Sequence, residues 1–137
     1  MKNFTKIALG ALALAIAMPI SAQSIQEVTI TTYRAAPGHQ VELLRWLARQ
    51  NQASEAAGVA AAQLYVHHQG ASWDYLVIAP VTTEAQDRSV DTEAQRLGVP
   101  TGPDVGIELR RHIASHEDTI AGGPTTAAAM LAALGEE

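Results

Sequence analysis

Five histidines, His39, His67, His68, His112 and His116, are the side chains of this 137-residue chain best suited to acid–base or metal chemistry near neutral pH. His112 and His116 stand four apart, with Glu117 and Asp118 directly after them. On a helix both imidazoles would reach one metal ion. On a strand four residues span about 13 Å, which is too far for two ligands of one ion. The apolar alternation of this segment favours a strand, and the Glu of a H-E-x-x-H helix is missing, so no metal centre is expected and the pair reads as polar or solvent-facing. His67 and His68 are neighbours on an extended segment and must point to opposite faces. By parity His67 goes with Gln63 and Tyr65, a patch that Tyr33 is expected to share. There an imidazole would serve as general base or hydrogen-bond partner to a phenolic or enolic compound. The plainer alternative is a histidine at a rim or a dimer interface.

The aromatic residues Tyr33, Tyr65, Tyr75 and Trp46 are the candidates for contact with a flat ligand, although rings on strands and helices more often serve packing. The same holds for Trp73. Arg110 and Arg111 offer guanidinium groups suited to a carboxylate, with a solvated surface as the ordinary reading. Gly122-Gly123-Pro124-Thr125-Thr126 precedes an alanine-rich run, where backbone N–H groups at a helix start would accept an anion or simply be capped. It is no P-loop, having no Lys, and no G-x-G-x-x-G or serine nucleophile elbow occurs. With no cysteine, thiolate catalysis, Cys-ligated metals and disulfides are excluded. The sequence implies no cofactor.

The elements that position these residues belong to one domain, since 137 residues with 47% apolar content are too few for a multidomain enzyme and too apolar for a disordered tail. Residues 1–22 have the layout of a secretory signal: Lys2 and Lys6, an apolar run from Ile7 to Met18, Pro19, then the small residues Ser21 and Ala22. The run is about twelve residues, short of the roughly twenty that cross a bilayer. Cleavage after Ala22 and a periplasmic or secreted location are expected, with residues 23–137 as the mature domain and no stable membrane insertion. Both lysines fall in the leader, which leaves seven arginines against fourteen carboxylates. Such an acidic chain does not suit nucleic acid.

Glu27–Arg34 alternates β-branched and aromatic residues and reads as a strand, with Val28, Ile30 and Thr32 on one face. Pro37-Gly38 ends it. Val41, Leu44, Leu47 and Ala48, widened by Leu43 and Trp46, predict a helix from His39 to about Ala57. Ala61–His68 and Trp73–Ala79 then form a hairpin about Gly70. Thr82 or Thr83 caps a second helix reaching about Leu97. Ile107, Leu109 and Ile113 fit a fourth strand over Gly106–Ala114, a loop follows, and Thr125–Leu134 makes a short helix. Strand, helix, strand, strand, helix, strand is the α+β, ferredoxin-like βαββαβ arrangement, an antiparallel sheet with helices on one face. The other face is left bare, and with Tyr33, Tyr65 and Tyr75 expected on it, a partner or ligand should cover it.

V-T-I-T-T-Y-R-A-A-P-G-H-Q-V-E-L-L-R-W-L and L-Y-V-H-H-Q-G-A-S-W-D-Y-L-V-I-A resemble the dimeric α+β barrel superfamily, with its antibiotic-biosynthesis monooxygenase, EthD and NIPSNAP-type domains. The resemblance covers roughly residues 27–80 and is carried by the pattern of elements. It implies a homodimer of face-to-face sheets, with a cleft between sheet and helices for a small apolar or aromatic ligand. It also implies, as a rival, a cofactor-independent monooxygenase or isomerase acting on an aromatic or polyketide-like compound with His67 as base. A non-catalytic interaction module is the third expectation. Haem-degrading relatives use an Asn, Trp and His set, which Trp46 and His39 do not reproduce position for position. The stretch after the fourth strand, H-I-A-S-H-E-D-T-I-A-G-G-P-T-T-A-A-A-M-L, exceeds the minimal domain.

Overall fold

A computed structural model describes residues 25–136. The leader expected at residues 1–22 lies outside the described residues. The elements run β1 (Gln26–Ala35), α1 (Gln40–Ala56), β2 (Gln63–Val66), β3 (Tyr75–Pro80), α2 (Glu84–Arg96), α3 (Pro103–Leu109), β4 (Ile113–Gly123) and α4 (Ala127–Leu134). The strands form one sheet in the order β2-β3-β1-β4, with every neighbouring pair antiparallel. This is the ferredoxin-like arrangement, with α3 inserted before the last strand and α4 added after it. No helix among the described residues is long and apolar enough to cross a membrane.

The chain's turns follow local chemistry. Gly38 and Gly58 bracket α1 at φ of 81° and 75°, a left-handed conformation that costs glycine nothing. Thr83 begins α2 with a full capping box, its hydroxyl accepting from the Gln86 amide while the Gln86 side chain accepts from the Thr83 N–H. Between β1 and β3 the Asp74 carboxylate accepts from the Ala35 N–H at 2.7 Å, tying the end of the first strand to the start of the third.

The fourth strand departs from the sequence expectation. Residues 103–109 are helical, and the strand starts only at Ile113 and continues through the stretch expected to be loop. Three apolar residues at 107, 109 and 113 fit either period over so short a span. Pro103 in the first helical turn is the signal for the helix, and Val105, Leu109 and Ile113, each four apart, pack on the core. The strand itself reads S-H-E-D-T through its middle and holds its place by pairing along the whole of β1. Gly122 belongs to it because a Cβ there would come within 2.6 Å of the Ile25 side chain.

The core has two parts. Tyr33, Ala35, Leu43, Trp46, Tyr75 and Leu109 are buried between α1, α3 and the sheet. Ala53, Ala94 and Val99 form a second, smaller cluster that packs α2 against α1. Thr31, Tyr33 and Ala35 therefore face the helices, and the register carries Tyr75 and Val77 with them. Val28, Ile30, Leu76 and Ile78 face the other way, and none of them joins either core cluster. Tyr33 and Tyr75 are thus on the covered face, contrary to the expectation that placed them with Tyr65 on the bare one. Tyr65 lies opposite Leu76 and stays on the bare side, half exposed. Period two settles which residues share a face; which face meets the helices depends on packing distant in sequence.

Candidate ligand-binding site

The helix-facing side of the sheet does not fill completely. Between α1 and strands β1, β2 and β3 lies a cleft of about 570 Å³, within the range of small-molecule sites. From α1 come Leu44, Leu47, Gln50 and Asn51; from the sheet come Tyr33, Leu64, Val77 and Ala79. Trp46 forms part of the wall. None of the lining side chains among the described residues is charged. The link from α1 to β2 forms its far rim and is held in place by Asn51, whose side chain accepts from the Ala62 N–H at 3.1 Å and donates to the Ala62 carbonyl at 3.4 Å.

Two polar atoms of side chains in this wall have no hydrogen-bond partner among the described residues. Trp46 Nε1 and Gln50 Nε2 are buried donors without an acceptor, on side chains one helical turn apart. A buried donor without a partner costs about 1–3 kcal/mol. Trp46 also separates the cleft from a smaller one of about 160 Å³, bordered by Arg45, Arg49, Glu108 and His112. Gln50 belongs to the larger cleft alone of the two. Burial pushes the Tyr33 hydroxyl above its ordinary pKa; the Thr31 hydroxyl partly offsets this and the Asp118 charge adds to it. Tyr33 is therefore a neutral phenol at physiological pH.

The sequence candidates separate into groups. Tyr33 and Trp46 meet at the cleft. Tyr75 is buried beneath α1, and its hydroxyl donates to the Gln40 carbonyl at 3.2 Å, a packing and anchoring position. Its pKa is raised by burial first and by Asp74 second. Tyr65 is on the bare face, its hydroxyl 3.3 Å from Gln63 Oε1. His67 is at the end of the β2–β3 hairpin, its ring 4.9 Å from that of Trp73, and it does not line the cleft.

His112 and His116 point to different neighbours. The His112 ring lies 5.8 Å from that of His39, and both Nδ1 atoms are buried without partners among the described residues. His116 stacks on Tyr33 at 6.1 Å and sits 3.2 Å from the Asp118 carboxylate, which also accepts from the Thr31 hydroxyl at 2.7 Å. Among the described residues no group of three or more His, Asp or Glu side chains is placed to hold a metal ion. Arg110 and Arg111 are exposed, and the threonine pair before α4 does what capping requires: Thr126 accepts from the Ala129 N–H. Gln50 and Asn51 were missed by the sequence reading. Gln50 stands four residues after Trp46 on the apolar stripe, and a polar residue in that place was the available signal.

Fold and site together define a ferredoxin-like α+β protein with an uncharged, largely apolar cleft between its first helix and its sheet. No protein-family model matches the chain, and no curated protein does. Among solved structures it is similar to the Pseudomonas aeruginosa protein PA3566, with 17% identity, 74% of this chain and 97% of that one covered, and a TM-score of 0.48. It is similar to an uncharacterized NIPSNAP domain protein from Burkholderia xenovorans, with 14% identity, coverage of 74% and 96%, and a TM-score of 0.43. A dimeric protein of unknown function and ferredoxin-like fold from Bacteroides fragilis shares 13% identity over 72% and 96% of the two chains, with a TM-score of 0.41.

Proposed function

We propose that this protein is exported, pairs with a second copy of itself through the bare face of its sheet, and binds a small apolar or aromatic molecule in the cleft between α1 and the sheet. The cleft carries the reading: its volume suits a small molecule, and its lining is apolar with a few amide and hydroxyl groups. Export rests on the three-part pattern of residues 1–22. Pairing rests on Val28, Ile30, Leu76 and Ile78, aliphatic side chains side by side on the two central strands that join neither core cluster between sheet and helices.

Titration with an uncharged naphthylamine dye tests the cleft. Saturable binding of one dye per chain is expected, and Ala79→Phe, which puts a ring into the cleft from β3, should abolish it. Absence of saturable binding, or binding indifferent to Ala79→Phe, would refute the reading.

A further inference from the structure

The bare face of the sheet carries more than its aliphatic patch. Residues directly opposite on neighbouring strands point to the same face, and of the strand residues that share this one only Arg34 on β1 and Glu117 on β4 are charged. Glu117 lies opposite Thr32 and Arg34 opposite Ser115, so the two are diagonal neighbours, about 7–8 Å apart at the backbone. Both are exposed, and neither forms a salt bridge among the described residues. Together with Thr32, Ser72, Trp73 and Ser115 they border a hollow of about 220 Å³ at the hairpin end of the face. The face is therefore balanced in charge, on a chain that beyond its leader has fourteen carboxylates to seven arginines.

We propose that this charged hollow is a self-recognition site: Arg34 of each copy pairs with Glu117 of the partner subunit, and the two contacts fix the angle at which the sheets cross. The inference rests on pairing through the bare face, and it names the side chains that select the second copy and orient it. A two-fold interface presents the same patch from both sides, so the patch must hold both members of each complementary pair. One free cation beside one free anion meets that condition, whereas recognition of an unlike partner does not require it. Overlays that miss the match press Arg34 or Glu117 against aliphatic side chains and leave a charge buried unpaired. With strands about 4.8 Å apart and residues about 3.3 Å apart along them, the two-fold axis that exchanges Arg34 and Glu117 runs over Leu76 towards β2. Ile78 then meets Tyr65 of the partner subunit, which gives that half-exposed ring an apolar neighbour. The strands of the two sheets cross steeply, nearer the orthogonal than the aligned class of sheet packing.

The test is a charge exchange between copies, read by sedimentation equilibrium at low salt. Arg34→Glu and Glu117→Arg are measured separately and then mixed in equal amounts. Each variant alone sets like charges against one another at both contacts, so its dissociation constant should rise at least about hundredfold. The mixture has opposite charges at both contacts and should form a one-to-one heterodimer of about native affinity. The double variant, Arg34→Glu with Glu117→Arg, should again pair with itself. Both positions are exposed in the single chain, so each variant should keep the native circular dichroism. If the arginine and the glutamate instead served each other within one chain, each single variant would carry its repulsion into the mixture, and mixing would restore nothing. Single variants that stay dimeric, or that fail to pair when mixed, overturn the inference and leave pairing through the bare face standing. A native chain that is monomeric at every concentration overturns both.

Discussion

Replacing Ile78 by Asp is the most direct probe of how the chain covers its sheet. Ile78 sits on β3, pairs with Ile30 across β1 and with Gln63 across β2, and is half-buried in the single chain. Fully burying an isoleucine side chain is worth about 1.5–3 kcal/mol, and the half still open leaves about 1 kcal/mol for an interface. An unpaired carboxylate placed there costs at least another 2 kcal/mol or so. A two-fold interface meets each substitution twice, which brings the total to about 6 kcal/mol. At 1.4 kcal/mol per decade, the dissociation constant rises about ten-thousandfold. Sedimentation equilibrium over a range of concentrations reads this directly: native protein should run as a dimer, and Ile78→Asp as a monomer with unchanged far-ultraviolet circular dichroism. Val41→Asp, on the exposed side of α1, is the control that should stay dimeric. A native chain that stays monomeric at every concentration, or an Ile78→Asp chain that keeps the native mass, would refute the argument from the bare face.

Two further outcomes concern the covered face. Leu43 is the one large side chain fully buried among the described residues, so Leu43→Ala should cost about 2–5 kcal/mol and lower the melting temperature by roughly 10–20 °C. A loss under 1 kcal/mol would mean that α1 does not hold to the sheet as described. Tyr33 has its hydroxyl pKa raised above the ordinary 10.0 by burial, so its contribution to stability is complete below about pH 10 and is lost as pH climbs through the raised value. Urea midpoints measured either side of pH 10 should therefore fall with pH in the native protein and fall less steeply in Tyr33→Phe; equal slopes would show that the phenol is not desolvated.

Much of this arrangement was legible in the residues, because the signals were local. Alternation located β1, the stripe from Leu43 to Ala48 located α1, Gly70 located the hairpin, and of the two threonines expected to cap α2, Thr83 is the one that does. The fourth strand was displaced because its middle, Ser115 to Thr119, has no aliphatic residue; the pairing partner that makes it a strand lies more than eighty residues earlier. The cleft was anticipated by resemblance and not by any motif. Of the four aromatic candidates, Tyr33 and Trp46 line it, while Tyr65 and Tyr75 go to the bare face and the core.

The two faces of the sheet explain both the misreading and the proposed function. Ordinary patterning puts the aliphatic side inward, and here the central strands turn Ile30, Leu76 and Ile78 away from the helices while Thr31, Tyr33 and Tyr75 turn toward them. On the helix side Thr31, Tyr33 and Tyr75 stand beside Val77 and Ala79, and the cleft there is walled by Leu44, Leu47, Leu64 and Val77 together with Tyr33 and Trp46. The aliphatic set on the outer side is the surface that the proposed second copy would cover. On the proposed reading successive residues of one strand serve separate tasks, and a substitution such as Ile78→Asp should separate the copies without disturbing Val77 and Ala79, its neighbours in the cleft wall. On the proposed reading, pairing and ligand binding would then be separable by substitution, because they use opposite faces of one sheet.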